Sequence, residues 1–234
     1  MVTLSGDELV ILDTTGTDGQ DIVSGGDTLI FSDGSRTAEA DVTRRVYVQP
    51  VVVYDNDGSN TAEFFGNAEN EFEISRYIDQ IYLQAGIDIE WLDTRTVNST
   101  FFNAGVGTGV RSGSDLNSIV NQGDSSGVGN SDPMVLDIYF VNRVPGFGFL
   151  GGNFANGLAF LGGSGIAMHV GETLLTFQGG REAVARVAAH EIGHNLGLPH
   201  DADPNNLLAE GNGGEALNAS QISITRNSEF SQTI

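Results

Sequence analysis

His190-Glu-Ile-Gly-His-Asn-Leu-Gly-Leu-Pro-His200, following Arg181-Glu-Ala-Val-Ala-Arg-Val-Ala-Ala189, is the stretch of this 234-residue chain from which both chemistry and fold can be read. Residues 181 to 196 are rich in Ala and Glu, follow Gly179-Gly180 and stop at Gly197, which predicts a helix with a glycine at its C-terminal end. On a helix, residues four apart differ by about 40° in direction and about 6 Å in height. His190 and His194 therefore project from one face and can reach a single ion. Glu191, about 100° round from His190, is too displaced to join that pair but can touch a water on the ion's open side. Gly197 can adopt the left-handed conformation that lets the chain reverse, which makes His200 reachable as a third ligand. Three neutral imidazoles leave one position of a zinc ion for water, the arrangement of a catalytic site and not of a closed structural one. The short His-Glu-x-x-His string arises by accident in Ala-rich helices. The eleven-residue form takes three of the chain's four histidines, each at an offset the geometry can use.

Over residues 190 to 200 the match to the metzincin zinc peptidases is complete, and the chain resembles that clan. Beyond it, His200-Asp-Ala-Asp-Pro-Asn-Asn-Leu-Leu208 resembles the run by which matrixin-type members pass from the third ligand into the Met-turn. The Met-turn position holds Leu208, and no methionine follows Met168. Leu nearly conserves the volume of Met, so the expectation is some loss of stability or metal affinity without loss of catalysis. Asp201 is closer to the adamalysin pattern than to the Ser of matrixins, which leaves the subfamily open.

The resemblance implies an α/β (α+β) metzincin-like catalytic domain. A twisted mixed sheet with two long helices, about residues 41 to 197, would stand above a small C-terminal subdomain, 198 to 234. It also implies an edge strand above the cleft that pairs with extended substrate, for which Gly165, Ile166, Ala167, Met168 and His169 are the candidates. His169, outside the motif, reads as a rim residue beside the ligands and not as a ligand. The implied activity is that of a zinc-dependent endopeptidase on proteins or peptides. Glu191 acts as general base toward a water that Zn2+ makes acidic, then passes the proton to the leaving amine.

The element order read independently of the motif is also mixed. Arg45 to Tyr54 is a β-branched run that predicts a buried strand, with Pro50 marking an edge or bulge. Asn67 to Ala85 carries Phe72, Ile74, Tyr77, Ile78, Ile81 and Ala85 at helical spacing and ends at Gly86. Strands are expected at Ile87 to Val97 and Val135 to Val141, and short edge strands at Gly157 to Leu161 and Gly165 to His169 around a Gly162-Gly-Ser turn. Ala216 to Arg226 is amphipathic, with Asn218 three residues ahead of Gln221 as in a capping box. Residues 98 to 133, dominated by Asn, Gly and Ser, are long for a loop; they form a functional surface excursion or contain elements that the pattern does not reveal.

Residues 1–40 form an acidic, Gly- and Asp-rich appendage to a catalytic domain spanning 41–234. Its stretches Gly16 to Ser24 and Gly25 to Phe31 resemble degenerate β-roll nonapeptides, but two copies are too few to stack, so short strands and turns are the plainer reading. If the appendage is an inhibitory pro-segment, Asp27 is the carboxylate available to block the zinc. Asp55-Asn-Asp-Gly-Ser-Asn60 is partly like a calcium loop, with Asp55 and Asp57 as the Ca2+ candidates, but it lacks the distal bidentate Glu, and an Asx-rich turn is the plainer reading.

With 31 acidic against 10 basic residues, net charge −21, neither nucleic acid nor an anionic membrane surface is an expected partner. There is no cysteine, so any transition-metal site must use His and carboxylate. No apolar run reaches membrane-span length and the start lacks the pattern of a secretory leader, so a soluble monomer is expected. A secreted, extracellular setting follows only from the enzyme class. Two competing readings are a catalytically idle metzincin-like binding module and a calcium-dependent adhesion module.

Overall fold

The structure, a computed structural model, describes residues 2–5, 8–12, 20–23, 28–31, 34–37, 42–66, 68–103, 113–142, 157–170, 180–210 and 214–234. The chain divides into two compact units, Met1–Thr43 and Arg44–Ile234. In the first, β1 (Val2–Ser5), β2 (Glu8–Leu12) and β3 (Gln20–Val23) form an antiparallel sheet, and β4 (Thr28–Phe31) pairs antiparallel with β5 (Gly34–Thr37). The strands of the two nonapeptide-like copies, β3 and β4, thus pair with β2 and β5 instead of stacking in parallel as a β-roll would. Gly16 to Gly19 and Asp27 lie outside the described residues.

The second unit is built on β6 (Arg44–Tyr54), the centre of a seven-stranded mixed sheet. On one side β6 pairs in parallel with β9 (Leu136–Phe140), which pairs in parallel with β11 (Ile166–Met168), and β10 (Gly157–Ala159) closes that side antiparallel. On the other side β7 (Ile87–Trp91) pairs with residues 44–48 of β6, and β8 (Arg95–Asn98) with residues 51–54. The short β12 (Gln232–Thr233) pairs antiparallel with Arg45 and Arg44. Alternation along β6 sends Val46, Val48 and Val52 into one core and Val51 into the other.

Pro50 lies in this central strand, which corrects the expectation of an edge or bulge. It falls between the segments paired with β7 and β8, where the ladder on that side is interrupted and a missing N–H is tolerated. Gln49 fills the interruption by donating Nε2 to Asp93 O at 2.7 Å.

Helix α1 (Ala68–Tyr82) covers one face with Ile74, Ile78, Ile81 and Tyr82, all buried, and continues as a 3-10 turn, Leu83–Ala85, stopped by Gly86 at φ 61°. Phe72 does not share that face: it stands about 200° round from Ile74 and is 66% exposed. Beside α1 lies α4 (Gly180–Asn195), with Val184, Ala185, Ala188, Ala189 and Ile192 in the same core. Tyr82 Oη donates to Ala189 O at 2.7 Å, tying the two helices.

The Asn/Gly/Ser-rich stretch contains α2 (Thr100–Asn103) and α3 (Gly113–Ser126), while 104–112 lie outside the described residues. Leu116 and Ile119 of α3 are buried against Val51, Tyr139 and Ala167, so α3 covers the sheet face opposite α1 and α4. The last helix, α5 (Ala219–Asn227), starts with the expected capping box, Asn218 Oδ1 accepting from Gln221 N at 3.0 Å and Gln221 Oε1 from Asn218 N at 2.9 Å. Among the described residues no helix is long and apolar enough to cross a membrane.

Gly123 sits inside α3, where Ala would ordinarily be favoured by about 1 kcal/mol. A methyl group there would lie 1.8 Å from Tyr139 Oη, a fully buried phenol that cannot retreat. Gly123→Ala is therefore expected to destabilise by about 1–3 kcal/mol, read as a lower denaturant midpoint at unchanged m-value.

Candidate metal centre

Helix α4 presents His190 and His194 on one face, and their Nε2 atoms are 3.1 Å apart. Gly197, at φ 98°, ends the helix, with its N–H donating to His194 O at 2.9 Å and Leu198 N donating to Gly193 O at 2.9 Å. The reversal brings His200 Nε2 to 3.2 Å from His194 Nε2. Tetrahedral zinc with Zn–N bonds of 2.0–2.1 Å requires N···N separations of about 3.3 Å, so the three rings fit one ion. They are the one such group of three among the described residues.

The Nδ1 atoms fix which nitrogen faces the centre. His190 Nδ1 is 2.7 Å from Leu207 O and His194 Nδ1 is 2.7 Å from Leu198 O. A carbonyl can only accept, so both Nδ1 atoms carry the proton and both Nε2 lone pairs point inward. The half-exposed His200 turns its Nδ1 toward Glu210, 3.3 Å from Oε1. Burial, opposed in part by the bond to Leu207 O, pushes His190 down to about 4, and burial also lowers His194; both rings stay neutral where metal binding needs them so.

The segment after His200 is held by side-chain amides. Asn206 and Gln221, both buried, exchange two hydrogen bonds, Nδ2 to Oε1 at 2.7 Å and Nε2 to Oδ1 at 3.0 Å. Asn206 Oδ1 accepts from Leu208 N at 2.9 Å, and Asp201 N donates to Leu208 O at 2.9 Å. This clamp sets the Leu207 carbonyl against His190. Leu208 itself is fully buried and packs against Gly193 on α4, between the two helical ligands in sequence. Nothing in the sequence marked Asn206, Gln221 or the two accepting carbonyls for this work, because their signal is geometric and not compositional.

Glu191 is 7% exposed, and burial raises its carboxyl to about 8. It lies under Gly157, the first residue of β10. Among the described residues that strand, and not Gly165 to His169, ends the sheet: β11 is buried between β9 and β10, which corrects the edge-strand expectation for Gly165, Ile166, Ala167, Met168 and His169. The two short strands carry similar Gly-rich patterns, and only pairing order separates them. His169 stays outside the triad, its Nδ1 3.2 Å from Val141 O.

The calcium expectation at Asp55 and Asp57 finds no support. Asp55 Oδ2 accepts from Asn60 Nδ2 at 2.6 Å and Oδ1 from Asn103 Nδ2 at 3.0 Å, while Asp57 Oδ1 accepts from Ser59 N and Oγ. With Gly58 N donating to Asp55 O at 2.8 Å, this is the Asx-rich turn.

Three converging imidazoles, a buried carboxyl on the same helix and a sheet edge that no other described strand covers fit a metal-dependent hydrolase. Residues 73–201, more than half of the chain, match the model of the reprolysin-like metallopeptidase family M12B, and the chain belongs to that family. It is thus a zinc metallopeptidase of the metzincin type.

No curated protein matches the chain. Among solved structures it is similar to metalloproteinase-II from Bacteroides fragilis, at 15% identity and a TM-score of 0.50, over 80% of this chain and 53% of that one. It therefore spans about half the length of that relative. Archaemetzincin from Archaeoglobus fulgidus matches over 77% of this chain and 99% of its own, at 19% identity and a TM-score of 0.46.

The raised Glu191 carboxyl makes a pH prediction for the metal-free protein. Its folded-state value of about 8 lies above the ordinary 4.5, so its stabilising contribution is complete below 4.5 and is lost as pH rises to about 8. The lowered His190 works oppositely, its contribution being lost as pH falls from 6.5 toward 4, but it is common to wild type and variant. With metal removed, Glu191→Gln should melt at a higher temperature than wild type at pH 8.5, and the gap should close by pH 4.5.

Proposed function

We propose that the chain is a zinc-dependent endopeptidase in which His190, His194 and His200 hold the ion through Nε2, Glu191 is the general base, and β10 receives the substrate as an added strand. The observation that carries the reading is the convergence of three inward-facing Nε2 atoms, 3.1 and 3.2 Å apart, on the helix that buries Glu191. When bound, zinc supplies a Lewis acid that polarises the peptide carbonyl and makes a water acidic near neutral pH. Glu191 accepts the proton of that water on a carboxylate oxygen and delivers it to the nitrogen of the leaving amine. A dication nearby favours its ionised form and offsets the effect of burial.

Among the described residues no strand covers the outer edge of β10, which favours an extended polypeptide as the substrate. Phe160 N donates to Gly165 O at 3.2 Å, which makes 160 and 165 a hydrogen-bonded pair; two residues on, 158 and 167 form the next. Gly157 and Ala159 therefore turn their N–H and C=O groups outward. A substrate main chain running antiparallel can bond to both, independently of its side chains and of where its ends lie, which favours internal cleavage.

Glu191→Gln should retain stoichiometric zinc and lose on the order of 10²- to 10⁴-fold in kcat/KM on denatured casein, with products mapped by mass spectrometry. Near wild-type turnover in the variant would remove Glu191 as the base. Cleavage that survives chelation and returns no slower for it would remove the metal.

A further inference from the structure

We propose that Gly157 is a positioning residue for Glu191: the bare Cα of the edge strand is the space the Glu191 side chain occupies, and any side chain there drives the carboxylate off its working line. This deepens the peptidase reading and rests on it. A methyl group built on Gly157 would lie 2.5 Å from Glu191 Cγ, 2.6 Å from Oε1 and 2.7 Å from Cδ. The encounter includes Cγ, so swinging the carboxylate tip aside does not relieve it.

The backbone does not ask for glycine at this position. Gly157 is not among the residues with positive φ, unlike Gly162 and Gly165 in the same hairpin. Space alone makes the demand.

Two attachments decide which partner must give way. Asn195, four residues beyond Glu191 on α4 and fully buried, donates Nδ2 to Phe160 O at 2.8 Å and to Gly165 O at 3.3 Å. Gly162 N donates to His194 O at 2.9 Å. The hairpin of β10 and β11 is thus fastened to the helix that carries the base, and Tyr82 fixes that helix through Ala189 O. The strand cannot rise and the helix cannot sink without breaking buried hydrogen bonds. The side chain of Glu191 has to move instead.

Gly157 is also one of the two residues whose outward groups face a bound substrate. The register of the substrate and the height of the base are therefore set at a single residue, and a shift of about 1 Å in such geometry costs on the order of 100-fold.

The test uses the full, zinc-loaded chain and a quenched peptide chosen from the casein fragments that wild type releases. Gly157→Ala should bind zinc stoichiometrically, keep KM within about threefold and lose on the order of 100-fold in kcat. Glu191→Ala, which removes Cγ and everything beyond it, abolishes turnover but clears the added methyl, so Gly157→Ala should lower the thermal midpoint of the chain that keeps Glu191 and leave that of Glu191→Ala nearly unchanged.

Unchanged kcat in Gly157→Ala, a loss confined to KM or to zinc content, or an equal loss of thermal midpoint with and without the Glu191 side chain overturns the proposal. Should Gly157→Ala fail to fold, recovery of a folded, zinc-binding chain on adding Glu191→Ala supports it, and continued failure overturns it. If wild type shows no chelator-sensitive cleavage, the peptidase reading falls. The same cycle read in thermal midpoints then decides the steric coupling by itself.

Discussion

Three imidazole lone pairs aimed at one point repel one another, and a cation between them turns that repulsion into the strongest interaction the molecule can make. Everything near the site serves to hold the lone pairs there. The helical offset sets the first two, a glycine at φ 98° returns the third, and the carbonyls of Leu207 and Leu198 accept the outer protons of His190 and His194. A helix alone leaves an imidazole free to rotate and to exchange tautomers. The carbonyls remove both freedoms, and they come from the segment beyond the helix. The small C-terminal region is accordingly part of the metal centre and not an addition to it.

The second constraint is thickness. Helix α4 lies close beneath the end of the sheet, and its sheet-facing and α1-facing positions are mostly Ala, with Val184 and Ile192 as the larger members. Along β10 the residues that face the helices are Gly157 and Ala159, whereas Leu158 and Phe160 point to the other face and pack around the core under α3. Small side chains on both surfaces let the helix bearing His190 and His194 approach β10. Larger ones would separate Glu191 from β10 even if all three histidines were intact.

The metal ligands and the helix that carries them were legible because each residue repeats a spacing that has one geometric use. Strand β6, α1, β9 and the Asn218 capping box were legible from β-branched runs, helical spacing and a three-residue offset. Helix α3 was not, since only Leu116, Ile119 and Val120 mark its buried stripe within a run of Asn, Ser and Gly that favours turns. Pro50 misled for a related reason: local chemistry says edge, while its place between β7 and β8 is set by strands 40 residues away. The edge strand was misassigned because Gly157 to Leu161 and Gly165 to His169 look alike locally, and pairing order is a property of the whole sheet.

Leu208 illustrates how a family departure can be absorbed. At this turn the main chain has the metal-related task, since the neighbouring Leu207 carbonyl orients His190. Its position is fixed by Asn206, Gln221 and Asp201, a polar clamp that does not depend on which apolar side chain follows. What remains for residue 208 is to fill the space against α4, and a methyl group built on Gly193 would meet its two δ carbons at 3.3 and 3.4 Å. A branched Leu fills that space with fewer rotamers than a Met would. The requirement at this position is therefore a buried volume, and the chain has kept the volume while changing the atom.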